Sequence, residues 1–188
     1  MKRAMFAAVL AGFGLIGSIH AVSAQEGWFF DATGGIALPI GNVSDYLKAG
    51  PTFGVGVGQQ FENIGVGLGF DVDLLSGKDF EGATGPGANF YRYQIFGEYS
   101  FIDPRTSKNQ INLIIGVGGT SISTDEVDGE RLKDTYITFE SGLHFGTGKV
   151  FLETVWVGMF GTQGTSSVFP QDISSMHNLT AKAGVRIG

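Results

Sequence analysis

Residues 64–74 alternate strictly between two kinds of side chain. Each odd position in this stretch is Gly or Asp, whereas the even positions hold Ile64, Val66, Leu68, Phe70, Val72 and Leu74. A period of two is that of a β-strand with two chemically different faces, and an amphipathic helix has a period of 3.6. The same alternation runs through residues 53–58 and again through residues 179–187. The chain is therefore expected to fold as β-strands.

The composition agrees with strands and excludes several classes of protein. The 188 residues include 31 Gly, 16 Phe, 5 Tyr and 2 Trp, and so much glycine would destabilise helices by about 1 kcal/mol per interior position. Cysteine is absent, which excludes a disulfide scaffold, a thiol nucleophile and a Cys-ligated metal. The net charge of −6 argues against a nucleic-acid partner, because phosphate binding requires a basic patch.

The first 24 residues have the layout of a secretory signal peptide. Lys2 and Arg3 form a short positive segment, an uncharged and mostly apolar stretch follows, and the sequence Val22-Ser23-Ala24 supplies the small residues of a cleavage site. We expect residues 1–24 to be removed and residues 25–188 to form a single domain. Loss of Lys2 and Arg3 leaves 10 basic and 18 acidic residues, a net charge of −8. An uncleaved N-terminal anchor is the alternative.

Eight strands are predicted along the rest of the chain, at about 27–38, 51–61, 64–75, 89–102, 110–123, 134–146, 150–161 and 178–187. Each is close to the 9–11 residues with which a tilted strand crosses a bilayer, and the chain beyond residue 24 has no run of 18 apolar residues. The connections at 62–63, 103–109 and 147–149 are short. Those at 39–50, 76–88, 124–133 and 162–177 are longer and polar. Short turns at one end and long loops at the other are typical of a membrane-spanning β-barrel.

Aromatic residues are expected to form belts at the two ends of these strands. Trp28 and Phe30 would lie at the edge nearest the short turns, with Tyr99 and Phe101 beside them. Tyr91 and Tyr93 would lie at the opposite edge. A soluble β-sandwich or lipocalin-like barrel would place the apolar face inward instead. The predicted fold class is all-β, an eight-stranded antiparallel up-and-down transmembrane β-barrel.

This pattern of eight alternating strands, short turns, four longer loops and a signal peptide resembles the small bacterial outer-membrane barrels. The group includes the transmembrane domain of outer-membrane protein A, outer-membrane protein X and the opacity-type proteins. The resemblance implies a Gram-negative outer membrane, insertion by the barrel-assembly machinery and often a surface role. Such chains usually end in an aromatic residue, whereas this one ends in Gly188. We therefore expect that the given sequence stops just short of a terminal aromatic.

An inward-facing set of charged side chains is the main candidate for function. Strand parity places these candidates in the lumen, and a hairpin centred near Gly82 would bring Asp73 across from Arg92. Opposite charges in a narrow interior must pair, because an unpaired buried charge is very unfavourable. We expect them to form a closed, satisfied interior, because eight strands enclose just enough room for side chains. An ion-pair gate in a narrow pore is the alternative. The candidates are Asp31, Asp73, Arg92, Glu98, Glu140, Glu153, Lys182 and Arg186.

Other constellations carry weaker signals. His144 and His177 are isolated, so no metal site or cofactor is predicted. Ser141 lies three residues from His144, which places their side chains on opposite faces of a strand. The loop residues Asp172, Ser174 and Ser175 near His177 are explained by ordinary polar loop composition. The same holds for the acidic stretch at 125–130, which departs from the calcium-loop pattern. The GxGxG at 54–58 lacks nucleotide-binding spacing.

The sequence thus favours a non-enzymatic outer-membrane barrel with a structural or surface-interacting, adhesin-like role. Its expected partners are outer-membrane lipids and lipopolysaccharide, the assembly machinery, and a host or surface ligand at the outer loops. Three alternatives stay open: a narrow porin for small solutes, a lipid A-modifying enzyme acting through His177 or His144, and a soluble periplasmic β-protein.

Overall fold

The structure is a computed structural model that describes residues 27–80, 83–104, 106–125, 133–161 and 175–188. Its eight long strands are β1 (Gly27–Ile40), β3 (Gly50–Phe61), β4 (Ile64–Gly77), β7 (Ala88–Ser100), β8 (Asn109–Thr124), β9 (Lys133–Thr147), β10 (Val150–Phe160) and β11 (Ser175–Ile187). The predicted signal peptide and most of the acidic stretch, together with Asp172 and Ser174, lie outside the described residues. None of the described helices is long and apolar enough to cross a bilayer.

The eight long strands close into an antiparallel barrel. Each strand pairs with the next one along the chain, and β1 pairs with β11 through contacts such as Asp31 opposite Arg186. A closed sheet has no free edge, so no row of backbone donors and acceptors is left unpaired. Strands in lipid require such closure, because no water is present there to bond these groups. This architecture confirms the predicted all-β, eight-stranded fold.

The outer face of the barrel is apolar and the inner face is mixed. Large side chains at alternate positions project outward, with Ile95 63% exposed, Leu152 62% exposed and Val55 61% exposed. A soluble protein rarely leaves a contiguous apolar surface of this extent in water. A bilayer provides the apolar surroundings that such a face needs.

Aromatic side chains lie at both ends of this face, as predicted. Trp28, Phe30, Tyr99 and Phe101 are exposed where the strands meet the short connections, a side we call the turn end. The rings of Tyr99 and Phe101 meet edge to face with centroids 5.5 Å apart. Tyr91 and Tyr93 are exposed toward the opposite side, which we call the loop end.

The turn end is closed by tight connections. Gly148 begins the turn between β9 and β10 with a φ of +61°, a conformation that residues with a Cβ rarely adopt. β7 was expected to continue to residue 102 but ends at Ser100. The next residue, Phe101, still donates its backbone N–H to Ile111.

The loop end contains local structure that the alternation does not predict. A 3₁₀ turn (Gly41–Asp45) follows β1, and the short strand β2 (Leu47–Lys48) pairs with the end of β4. The further pair β5 (Asp79–Phe80) and β6 (Ala83–Thr84) forms a small hairpin beyond β4. We call residues 41–48 the cap segment. Its Val43 and Leu47 are buried, although the sequence predicted a polar loop here.

Candidate functional site in the barrel interior

The alternation of side chains along each strand places the charged candidates in the lumen. Arg92 is 1% exposed and Asp73 is fully buried, while Glu153 keeps slight solvent contact. Since alternate residues of a strand project to opposite faces, these groups share the mixed inner face with small and polar residues and with aromatic ones such as Phe29 and Phe90, and most of their outward neighbours are apolar. The structure places all eight candidates on the inner face: Asp31, Asp73, Arg92, Glu98, Glu140, Glu153, Lys182 and Arg186.

Arg92 is the centre of the first ion-pair network. Its guanidinium nitrogens lie 3.2 Å from Asp73, 3.3 Å from Glu140 and 3.8 Å from Asp71. Asp73 also accepts hydrogen bonds from Thr52 at 2.6 Å and from Asn178 at 3.4 Å. The ion pair of Arg92 and Asp73 is thus enclosed, and the Asp73 carboxylate accepts hydrogen bonds from additional donors, as buried charges require.

Lys182 extends this network around the barrel. Its ammonium nitrogen lies 2.9 Å from Asp71 and 2.9 Å from Glu153. Gln94 joins Asp71 to Glu140 by donating from its amide nitrogen to both carboxylates, at 3.3 and 2.9 Å. Strands distant along the chain are therefore cross-linked through the middle of the lumen. We call these groups the central network.

A second network lies nearer the turn end and is built on Arg186. This guanidinium donates to Asp31 at 2.8 and 2.7 Å and also to Glu98, so that it is held by two carboxylates. Its carbon lies 4.0 Å from the centre of the Phe29 ring, a cation–π contact. Arg186 is a suitable residue here because its planar fork can bind two carboxylates at once.

An apolar layer closes the lumen on the loop-end side of the central network. Val43 and Leu47 of the cap segment belong to this layer at the loop end, and each is at most 3% exposed. Among the described residues, this layer places buried apolar side chains between the central network and the loop end. We call its residues the apolar layer: Val43, Leu47, Leu75, Phe90, Ile122, Tyr136, Met159 and Met176.

A small cavity remains between the two networks. Its volume is about 50 Å³, and the side chains that border it include Thr33, Asp71, Gln94 and Glu153. A cavity needs about 10–15 Å³ of this kind of volume to hold one water molecule. The cavity therefore has room for a few small species but not for a solute of metabolite size.

The structure differs from the sequence-based predictions in three respects. The register pairs Arg92 with Asp71 and pairs Asp73 with Phe90, so the predicted cross-strand pair of Asp73 and Arg92 was wrong, although the two side chains still make a diagonal contact. The long connection between β4 and β7 does not fix the register as a two-residue turn would. Asp71 is absent from the predicted set. Its inward position could have been predicted from the sequence, because it lies two residues from Asp73 and therefore on the same face of the strand. The apolar layer was also missed.

The histidines have no catalytic arrangement among the described residues. His144 is buried in the lumen and its ring stacks on Phe151 with centroids 4.2 Å apart, whereas Ser141 is exposed on the outer face. His177 stacks on Trp156 at 5.3 Å. No group of three or more His, Asp or Glu side chains within the described ranges could hold a metal ion.

The comparison with known proteins identifies the fold. No protein-family model matches the chain, and no curated protein matches it. Among solved structures, Neisserial surface protein A shares 15% identity over 85% of this chain and 96% of that one, with a TM-score of 0.57.

Two further solved structures give the same result. The N-terminal β-barrel domain of Pseudomonas aeruginosa OprF is 13% identical over 87% of this chain and 100% of that one, with a TM-score of 0.52. Ail, the attachment invasion locus protein of Yersinia pestis, in complex with the heparin analogue sucrose octasulfate, is 12% identical over the same shares with a TM-score of 0.53. These likenesses and the outward apolar face establish that the chain has the fold of the small bacterial outer-membrane β-barrels.

Proposed function

We propose that this chain is a bacterial outer-membrane barrel with a structural or surface-interacting role and an interior closed to ion flow. The closed interior is supported by two successive barriers along the lumen. The ion pairs of the central network fill its middle, and the apolar layer seals its loop end. Eight strands enclose just enough space for side chains to fill.

The location in the outer membrane is supported by three independent features. The exposed apolar face with aromatic residues at both ends fits a bilayer. The fold is shared with proteins of that membrane, and the sequence begins with a predicted export signal. The partners that follow from this location are the surrounding lipids and lipopolysaccharide, and the assembly machinery during insertion.

The surface role is supported by the unequal ends of the barrel. Connections at the turn end are short, while those at the loop end are longer and include the cap segment. Ail, the attachment invasion locus protein, has been solved in complex with a heparin analogue. By analogy we propose that the loop end of this barrel contacts a host or surface ligand, with no cofactor and no catalytic step.

Two measurements test this proposal. Fractionation of cells that express the chain is expected to recover it in the outer membrane, with migration on gels that changes on heating. Recovery from the periplasm without detergent would contradict the membrane location. Whole cells in which residues 162–174, part of the connection predicted from the sequence at 162–177, are exchanged for a Gly/Ser segment are expected to lose surface attachment while keeping a folded barrel. Unchanged attachment would contradict a role for that loop.

A narrow channel is the second candidate, because the cavity between the networks is bordered by charged groups. Conduction would require both the apolar layer and the central network to rearrange.

A lipid A-modifying activity has less support, since His144 and Ser141 face opposite sides of the barrel wall. Lipid A with an unchanged acyl pattern in expressing cells is the expected result.

A further inference from the structure

We infer that the cavity between the two networks binds one alkali-metal cation. This inference goes beyond the proposed surface role and does not depend on it. The first observation is the charge of the lumen. The two networks bring together six carboxylates and only three cationic side chains, so the excess is three negative charges when every group is ionised.

An excess of this size is unfavourable inside a narrow barrel. An uncompensated buried ion is strongly unfavourable even after the surroundings relax. Asp31 and Glu153 keep 12% and 13% of their side-chain surface in contact with solvent, which relieves part of the excess. Asp71 and Glu140 are at most 5% exposed and have no such relief. A mobile positive charge near these two groups would compensate them.

The second observation is a pair of neutral oxygens without partners at the cavity wall. Thr33 is 8% exposed, and its hydroxyl oxygen is buried without a hydrogen-bond partner. The amide oxygen of Gln94 is also buried and unpartnered, although its nitrogen bonds to Asp71 and Glu140. Both residues border the cavity. Buried polar atoms in native proteins nearly always have a partner, so these oxygens indicate an occupant.

The third observation is the close approach that Gly54 permits. A Cβ at this position would lie 2.6 Å from the Thr33 hydroxyl oxygen and closer still to an oxygen of Asp71. These two oxygens therefore lie close together where a side chain would otherwise stand, and both residues border the cavity. A hydroxyl, an amide oxygen and a carboxylate form a set of hard oxygen donors.

The donor set also defines the class of cation. No three acidic or imidazole groups among the described residues converge as a divalent or transition metal would require. The carboxylates here are already shared with Arg92 and Lys182. A singly charged cation with neutral oxygens and water in its shell suits this arrangement. The volume of about 50 Å³ accommodates one such ion with a few water molecules.

The test is the unfolding temperature of the purified full chain in detergent micelles. Samples in NaCl, KCl or choline chloride are compared at one pH and one ionic strength, so that only the identity of the cation changes. We expect a saturable rise of about 2–4 °C in at least one alkali salt relative to choline, which is too large to enter the cavity. Thr33→Val removes the hydroxyl and keeps the shape, and is expected to abolish the rise.

Thr154→Val is the matched control, because Thr154 is exposed on the outer face and the substitution is chemically the same. It is expected to keep the full rise. Equal unfolding temperatures of the wild type in all three salts would overturn the proposal, as would an undiminished rise in Thr33→Val. If Thr33→Val does not fold, crystals of the wild type grown in RbCl provide the decision. An anomalous peak in the cavity supports the site, and its absence overturns it.

Discussion

At the scale of single residues, burial decides what an ion pair contributes. Arg92 is 1% exposed and contacts three carboxylates, whereas the pair of Lys48 and Asp79 at 2.8 Å has half-exposed side chains. Water screens the second pair but not the first. The same kind of contact therefore has unequal consequences at the two sites.

Arg92→Ala is expected to destabilise the barrel by about 3–5 kcal/mol, because it leaves buried carboxylates without their cation. Lys48→Ala is the control and is expected to change stability by at most about 1 kcal/mol. Urea titration of both variants in lipid vesicles measures the difference. Similar losses in the two variants would show that the central network is not a dry, enclosed site.

Small residues on the inner face make room for the network. Substitutions at Gly54 and Gly34 test this at the residue scale. A Cβ at Gly54 would overlap the side chains of Thr33 and Asp71, while a Cβ at Gly34 would meet only the Phe53 ring at 3.7 Å. Gly54→Ala is expected to cost about 1–3 kcal/mol through overpacking. Gly34→Ala should be nearly neutral or stabilising in the same titration. The opposite order would contradict this packing.

At the scale of elements, the eight long strands could be predicted from the sequence. Their ends agree with the structure to within three residues. The reason is that an inward polar face and an outward apolar face impose a period of two along every strand. The parity of Asp31, Arg92 and Arg186 followed from the same rule, and so did their place on the inner face.

The cap segment could not be predicted, because its burial depends on partners far away in sequence. Residues 41–48 contain Asn, Ser, Asp and Lys, which is typical of an exposed loop. Val43 and Leu47 are buried because they belong to the same apolar cluster as Met159, Met176 and Phe90. The register of β4 against β7 was missed for a related reason, since it depends on the whole ladder and not on a tight turn.

Leu47→Ala in the cap segment is expected to destabilise the barrel by about 2–4 kcal/mol, because it opens a cavity in the apolar layer. Ser44→Ala is the control in the same segment. It removes only the exposed 2.6 Å hydrogen bond to the carbonyl of Gly41, and a loss below about 1 kcal/mol is expected. Chemical denaturation followed by tryptophan fluorescence compares the two. Equal effects would mean that the segment does not seal the lumen.

At the scale of the whole molecule, the bilayer serves as the solvent for the outer face. Ile95 lies near the middle of β7 and is 63% exposed, whereas Tyr91 lies toward the loop end of the same strand. Ile95→Lys is expected to cost about 2–4 kcal/mol in vesicles and Tyr91→Lys about 0–1 kcal/mol, because the penalty for a charge falls toward the interface. Equal penalties would contradict the assigned position of the bilayer.

The central claim concerns the lumen as a whole, which is closed by the apolar layer and filled by two ion-pair networks. Single-channel recording of the purified barrel in planar bilayers tests this claim most directly. The wild type is expected to show no stable conducting state, and Leu47→Ala in the apolar layer is expected to show none either, because the central network still fills the middle of the lumen. Stable openings of the wild type whose conductance changes in Glu140→Gln or Lys182→Gln would contradict the closed interior and identify the barrel as a narrow channel.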